Sequence, residues 1–174
     1  AAGNGDALFE ISGGSFETRT GVGVGTTGTF SVVGSGASSI GIGSNGSLDG
    51  EWNQFAGGTL SATMDLTGVT KIFIDDVDGG GVSVNFQAGS LLNLGFLGTA
   101  VAGTWTVLEA EGTVFDASTI AGLSLTPGTA AGWSYGFDNV GGNGLLTATY
   151  VIPEPSASLL GGLGLLAILR RRRN

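Results

Sequence analysis

The sequence predicts an all-β fold, a glycine-rich β-solenoid or solenoid-like roll ahead of a β-sandwich or jelly roll. Three observations carry this expectation. Short runs of β-branched and aromatic residues alternate with small polar ones, as in Thr29-Phe30-Ser31-Val32 and Val82-Ser83-Val84-Asn85-Phe86, which is the period of a half-buried strand. Glycine clusters separate these runs roughly every ten residues, the punctuation expected of turns. Glycine supplies 35 of the 174 residues and charged residues only 11%, a balance that disfavours an amphipathic helical bundle, with its charged face and few glycines.

In chain order the strand-like runs are 7–11, 15–20, 29–33, 38–42, 59–66, 71–75, 82–86, 91–96, 104–108, 123–126, 133–137 and 145–151. Turn signals stand between them at Gly13-Gly14, Asn45-Gly46, Gly57-Gly58, Gly79-Gly80-Gly81 and Asn143-Gly144. A degenerate unit of glycine followed by alternating apolar and small residues returns at 14–18, 28–32, 58–62, 81–85 and 103–107. Its spacing is too irregular for a strict repeat. Stacked rungs still suit the composition, because glycine makes corners and each rung buries its apolar residues against its neighbours. In this the chain resembles the β-solenoid passenger regions of bacterial surface proteins. The glycines of 21–25 and 34–36 lack the following helix and the lysine of a phosphate loop, and are read as strand and turn.

Chemistry is narrowed by what is missing. With no cysteine and no histidine, thiolate metal sites, Ser-His-Asp systems and Cys-His nucleophiles are all excluded. The chain is therefore not expected to be an enzyme. The scheme left open is glycoside hydrolysis by two carboxylates, with Glu51, Glu109, Glu111 and Asp116 as candidates whose spacing places no two across a cleft. No cofactor is expected beyond a weak calcium candidate at Asp75, Asp76 and Asp78, which lead into three glycines. That spacing misses the calcium-loop pattern, and a solvated acidic turn is the plainer reading. The aromatic residues Trp52, Phe55, Phe96, Trp105, Phe115, Trp133, Tyr135 and Phe137 are expected to fill the core or close the end of a solenoid. Trp133 and Tyr135, two apart on one strand face, are also a candidate glycan contact.

Charge is unevenly placed. Thirteen of the fourteen acidic residues precede Pro153, but only Arg19 and Lys71 of the six basic ones do, which leaves residues 1–152 at −11. Such a surface repels phosphate backbones, so no nucleic-acid partner is expected. The other basic residues are consecutive: Arg170, Arg171, Arg172 and Arg173.

The end of the chain has three zones. Pro153-Glu154-Pro155 is an extended spacer. An apolar run of thirteen residues, 157–169, follows, about 20 Å long as a helix. The arginines close it, extending its apolar length by snorkelling and holding that end on the cytoplasmic side. A C-terminal hydrophobic helix and a division into a 1–152 domain and a 153–174 appendage follow.

These zones, in this order, resemble the PEP-CTERM sorting signal. The resemblance implies export, insertion of the C-terminal helix in the inner membrane, and processing by an exosortase at the Pro153-Glu154-Pro155 motif. It further implies a Gram-negative bacterium that makes extracellular polysaccharide and lives in biofilms or flocs. The chain is then expected to be a surface or extracellular-matrix protein with a structural or adhesive role, with a glycan-binding module and a glycoside hydrolase as successive alternatives. A start at Ala1 without methionine suits a form whose export signal has been removed, or a fragment.

Overall fold

In the computed structural model, residues 7–43 and 49–153 are described. The expected C-terminal helix lies outside them, as do Glu154, Pro155, Arg170, Arg171, Arg172 and Arg173. Among the described residues there are fourteen strands and no helix.

Alternating residues bury one side and solvate the other, and the chain uses this by turning three times per coil. The first coil is β1 (Leu8–Ile11), β2 (Gly14–Thr18) and β3 (Gly21–Val24). The second is β4 (Thr29–Val33), β5 (Ala37–Ile42) and β6 (Glu51–Gln54), and the third β7 (Thr59–Met64), β8 (Ile72–Ile74) and β9 (Ser83–Phe86). A fourth coil begins with β10 (Ser90–Phe96) and β11 (Gly103–Ala110), followed by β12 (Leu123–Leu125), β13 (Trp133–Val140) and β14 (Asn143–Tyr150). Equivalent strands stack in parallel. One sheet runs β1-β4-β7-β10-β12 and another β3-β6-β9, while the second sheet runs β2-β5-β8-β11 before it is completed by β14 and β13. The fold is a parallel β-solenoid of three complete coils, the first of the two architectures expected.

Register sets the core. On the first sheet Phe9, Phe30, Leu60, Leu92 and Leu125 stand in one column. On the second, Ile40, Ile72 and Leu108 form another, all buried. On the third, Val22, Trp52 and Val84 line up, with Trp52 fully buried and its ring edge-on to Phe30 at 5.4 Å. Each fully buried side chain of this size contributes about 1.5–3 kcal/mol. Corners demand small residues: a Cβ at Gly50 would lie 2.4 Å from the Ile42 carbonyl oxygen and 2.5 Å from Ile74 Cγ2. At the corner between third and first sheets the fully buried Gln54 donates from Nε2 to the carbonyls of Gly58 (2.8 Å) and Leu91 (2.7 Å), clamping two coils together.

The C-terminal end is closed by a hairpin. β14 pairs antiparallel with β11 on one side and β13 on the other. Its turn is Gly141-Gly142, with φ of 65° and 92°, the left-handed pair that a tight two-residue hairpin requires. The turn expected at Asn143-Gly144 is thus displaced. Asn143 instead opens β14, donating to Glu109 Oε1 at 2.8 Å and accepting from the Gly112 amide at 3.2 Å.

Candidate functional site

The place where the tail leaves the domain is fixed by the cap. The Val151 amide donates to the Gly132 carbonyl at 2.9 Å, one bond beyond the β13–β14 ladder. Val151 and Ile152 are 62% and 56% exposed, and Pro153 is exposed too. Under this exit the rings of Phe96, Trp105, Trp133 and Tyr150 are packed together. Phe96 lies 4.9 Å from both Trp133 and Tyr150, and Trp105 lies 5.7 Å from Phe96 and from Trp133. The tail therefore starts from a rigid base.

This packing changes the reading of Trp133 and Tyr135. They share a face of β13, as the alternation predicts, but it is the inward one: Tyr135 is paired with the buried Ala148. Trp133 is only 8% exposed and stacks on Phe96 with 28° between the rings. Tyr135 is half-buried, and its hydroxyl donates to the Leu123 carbonyl. Trp133 is buried and Tyr135 half-buried, and their rings close the end of the solenoid, the first of the two roles considered for them.

The acidic turn is regrouped by the stacking of coils. Asp49, Asp76 and Asp78 bring carboxylate oxygens within 4.8 Å of one another, whereas Asp75 is held in the ladder through its backbone, accepting from Gly50 and donating to Ile42. Asp49 could not be read from the sequence as a member, because it belongs to the preceding coil. These carboxylates also organise the loop: Asp49 Oδ1 accepts from Val77 and Asp78, Asp76 from Gly79 and Gly81, and Asp78 from Gly80, at 2.8–3.2 Å. Three converging oxygens suit calcium chemically, and five backbone amides already satisfy them in part.

The remaining carboxylates are dispersed. Glu51 is exposed on the third sheet. Glu109, on the second, pairs with Lys71 and accepts from Asn143; burial pushes its carboxyl up, and the two donors more than offset this, leaving it below the usual carboxylate range. Glu111 accepts from the Asp76 amide at 3.2 Å. Asp116 accepts from the hydroxyl and amide of both Ser118 and Thr119, and the Ser118 hydroxyl foremost lowers its carboxyl. At the opposite end, a recess of about 330 Å³ between β1 and β3 is walled by Leu8, Phe9, Val22, Val24 and Phe30, with no carboxylate in its lining.

Fold and exit together define a class: a β-solenoid domain capped at its C-terminal end by its own hairpin, with a C-terminal appendage following the cap. The appendage itself is specific, since residues 151–173 match the family model of the PEP-CTERM protein-sorting motif, which marks an exported protein processed by an exosortase and anchored in the membrane beforehand. The match includes Pro153, Glu154, Pro155 and the arginines Arg170 to Arg173, and no family is identified for the body. No curated protein and no solved structure matches the chain. Among the described residues no helix is long and apolar enough to cross a membrane.

Proposed function

We propose that the chain is a structural or adhesive protein of the surface or extracellular matrix of a Gram-negative bacterium, released from the inner membrane by exosortase processing. The observation that carries this reading is the junction at Val151: a solenoid closed by its own hairpin, joined through one exposed segment to a sorting motif. An address that can be removed without opening the core suits a domain delivered intact. The proposed role is non-catalytic, in keeping with the lack of histidine and cysteine and with Glu51 and Glu109 on separate sheets. Expression in otherwise identical strains with and without exosortase, with fractionation and intact mass of the product, tests it. Loss of the tail and recovery of the body in the surface or matrix fraction only where the enzyme is present is expected. An uncleaved chain in the membrane of both strains would overturn the proposal.

A second reading, contact with a neutral exopolysaccharide, is favoured by the outer face of the first sheet. There the half-buried Thr29 and Thr59 stand in register, and the half-buried Asn93 donates to Ser61 (3.2 Å) and accepts from Thr126 (3.1 Å). Ser31 and Ser61 are themselves buried, so the contact falls to the threonines and Asn93. Affinity electrophoresis in neutral polysaccharide separates this surface from the buried rings. Retardation should survive Trp133→Phe and vanish in a Thr29→Glu, Thr59→Glu double variant; the reverse pattern would refute it.

A further inference from the structure

Three segments meet where the tail emerges. Residues 97–102 (Leu-Gly-Thr-Ala-Val-Ala) follow β10, residues 127–132 (Pro-Gly-Thr-Ala-Ala-Gly) precede β13, and residues 151–153 (Val-Ile-Pro) follow β14. They adjoin through contacts already described: the Phe96 and Tyr150 rings touch, so Leu97 and Val151 continue from neighbouring positions, and Gly132 bonds to Val151. A Cβ at Gly132 would come within 3.4 Å of Pro153 Cδ. Leu97 is 59% exposed, comparable to Val151 and Ile152, and Leu66 in the turn one coil back is 73% exposed.

Charge distribution sets this corner apart. Residues 1–152 carry −11, yet none of the three segments contains an acidic or basic residue; the charges next to them in sequence are Glu154, in the spacer itself, and Asp65, beside Leu66 one coil back. A carboxylate pressed against a bilayer loses hydration and is repelled by anionic headgroups, so an acidic domain approaches lipid best through an uncharged, apolar end. Chain length brings this end close. Four residue steps separate Pro153 from Ala157, where the apolar run begins, and a fully extended chain spans them in at most about 14 Å. While the tail is inserted, the corner cannot stand far from the membrane surface.

We propose that the uncharged corner formed by Leu97, Val151 and Ile152 seats on the lipid bilayer as long as the tail is attached, orienting the solenoid with its opposite, β1 end outward. This rests on the anchoring of the tail in the membrane. It assigns the exposed apolar side chains a partner, and it makes the seat temporary, since removal of the tail removes what holds the corner down.

The absence of cysteine makes the test direct, because each introduced cysteine is unique. The full chain is reconstituted in vesicles of phosphatidylcholine and phosphatidylglycerol with a fluorophore at Leu97→Cys, at Leu8→Cys on the far end, or at Leu165→Cys in the apolar run, and a shallow nitroxide lipid serves as quencher. Quenching several-fold stronger at position 97 than at position 8 is expected, and adding Ile152→Asp should bring position 97 down to the level of position 8. Equal, weak quenching at 97 and 8 with strong quenching at 165 would overturn the seat and leave the anchor standing. Weak quenching at 165 would overturn both. Shielding of position 97 from an aqueous quencher only when exosortase is present would assign the corner to the enzyme and overturn the lipid seat.

Discussion

The hydroxyl of Tyr135 donates to the carbonyl of Leu123, joining the last strand of the second sheet to the last strand of the first across the end of the solenoid. β12 pairs with β10 over three residue positions only, so this bond supplies much of what holds it against the cap. Tyr135→Phe keeps the ring and removes the bond, with an expected loss of about 1 kcal/mol. In a domain of this size that lowers Tm by about 2–4 °C. Chemical denaturation of the variant beside the parent measures it, and equal midpoints would show the bond to be dispensable.

Acid should weaken a particular corner. Asp65 Oδ2 accepts from the amide (2.8 Å) and hydroxyl (2.9 Å) of Ser35, and Oδ1 from the amide (2.7 Å) and hydroxyl (2.6 Å) of Thr67 and the amide of Gly68 (2.9 Å). The Ser35 amide first, then the Thr67 donors, hold this carboxyl well below the usual carboxylate range. The folded chain thus binds this proton more weakly than the unfolded one. Its contribution is complete above the unfolded value of about 3.9 and is lost as pH falls below that toward the folded value. Thermal melts from neutral pH down to about pH 2 should show the parent and Asp65→Asn converging as pH drops, with the parent more stable at neutral pH. A gap between them that does not change with pH would contradict this.

Gly50 tests the stacking of coils. Its missing Cβ leaves room for the Ile42 carbonyl and for Ile74 of the next coil, both parts of a packed ladder. Gly50→Ala forces backbone as well as side chain to move, at a cost of about 1–3 kcal/mol. Gly128→Ala, where nothing lies within 4 Å, serves as the control and should be neutral. Equal stability of the two variants would mean that the coils slide apart more easily than their register suggests.

Deleting residues 153–174 should leave the domain as stable as before, because among the described residues the last backbone bond is made by Val151. Extending the deletion back through 145–150 strips β14 from both its neighbours and should abolish cooperative unfolding. Calorimetry of the two truncations decides the point. A large loss from the shorter deletion would mean that the tail belongs to the fold.

Most strands could be read from alternation alone: the run 29–33 coincides with β4, and 59–66, 91–96 and 133–137 fall on β7, β10 and β13. Two strands of the third sheet could not. In β3 glycine occupies every second position, leaving Val22 and Val24 as the whole apolar signal, and in β6 the inward residue after Trp52 is Gln54, whose polarity breaks the pattern. The glycine-led unit was irregular because its copies open strands on different sheets, β2, β4, β7, β9 and β11 among them. The true repeat is the column Phe9, Phe30, Leu60, Leu92, with loops of unequal length between. Likewise alternation put Trp133 and Tyr135 on one face but could not say which face. That depended on the antiparallel return of β14, a pairing between segments with no local signature beyond Gly141-Gly142. The sorting motif was legible throughout because it is linear, and Asp49 was not because its neighbours come from another coil.

The position of β14 bears on how the domain carries load. The tail continues from a strand with a full ladder on either side, β11 and β13, and not from an edge strand. A pull on the C-terminal tail runs along β14 and loads two rows of hydrogen bonds in shear at once, where the same pull on an edge strand would load one row. The strand from which the tail departs is thus bonded along both its edges, unlike β2 and β13 at the margins of the same sheet.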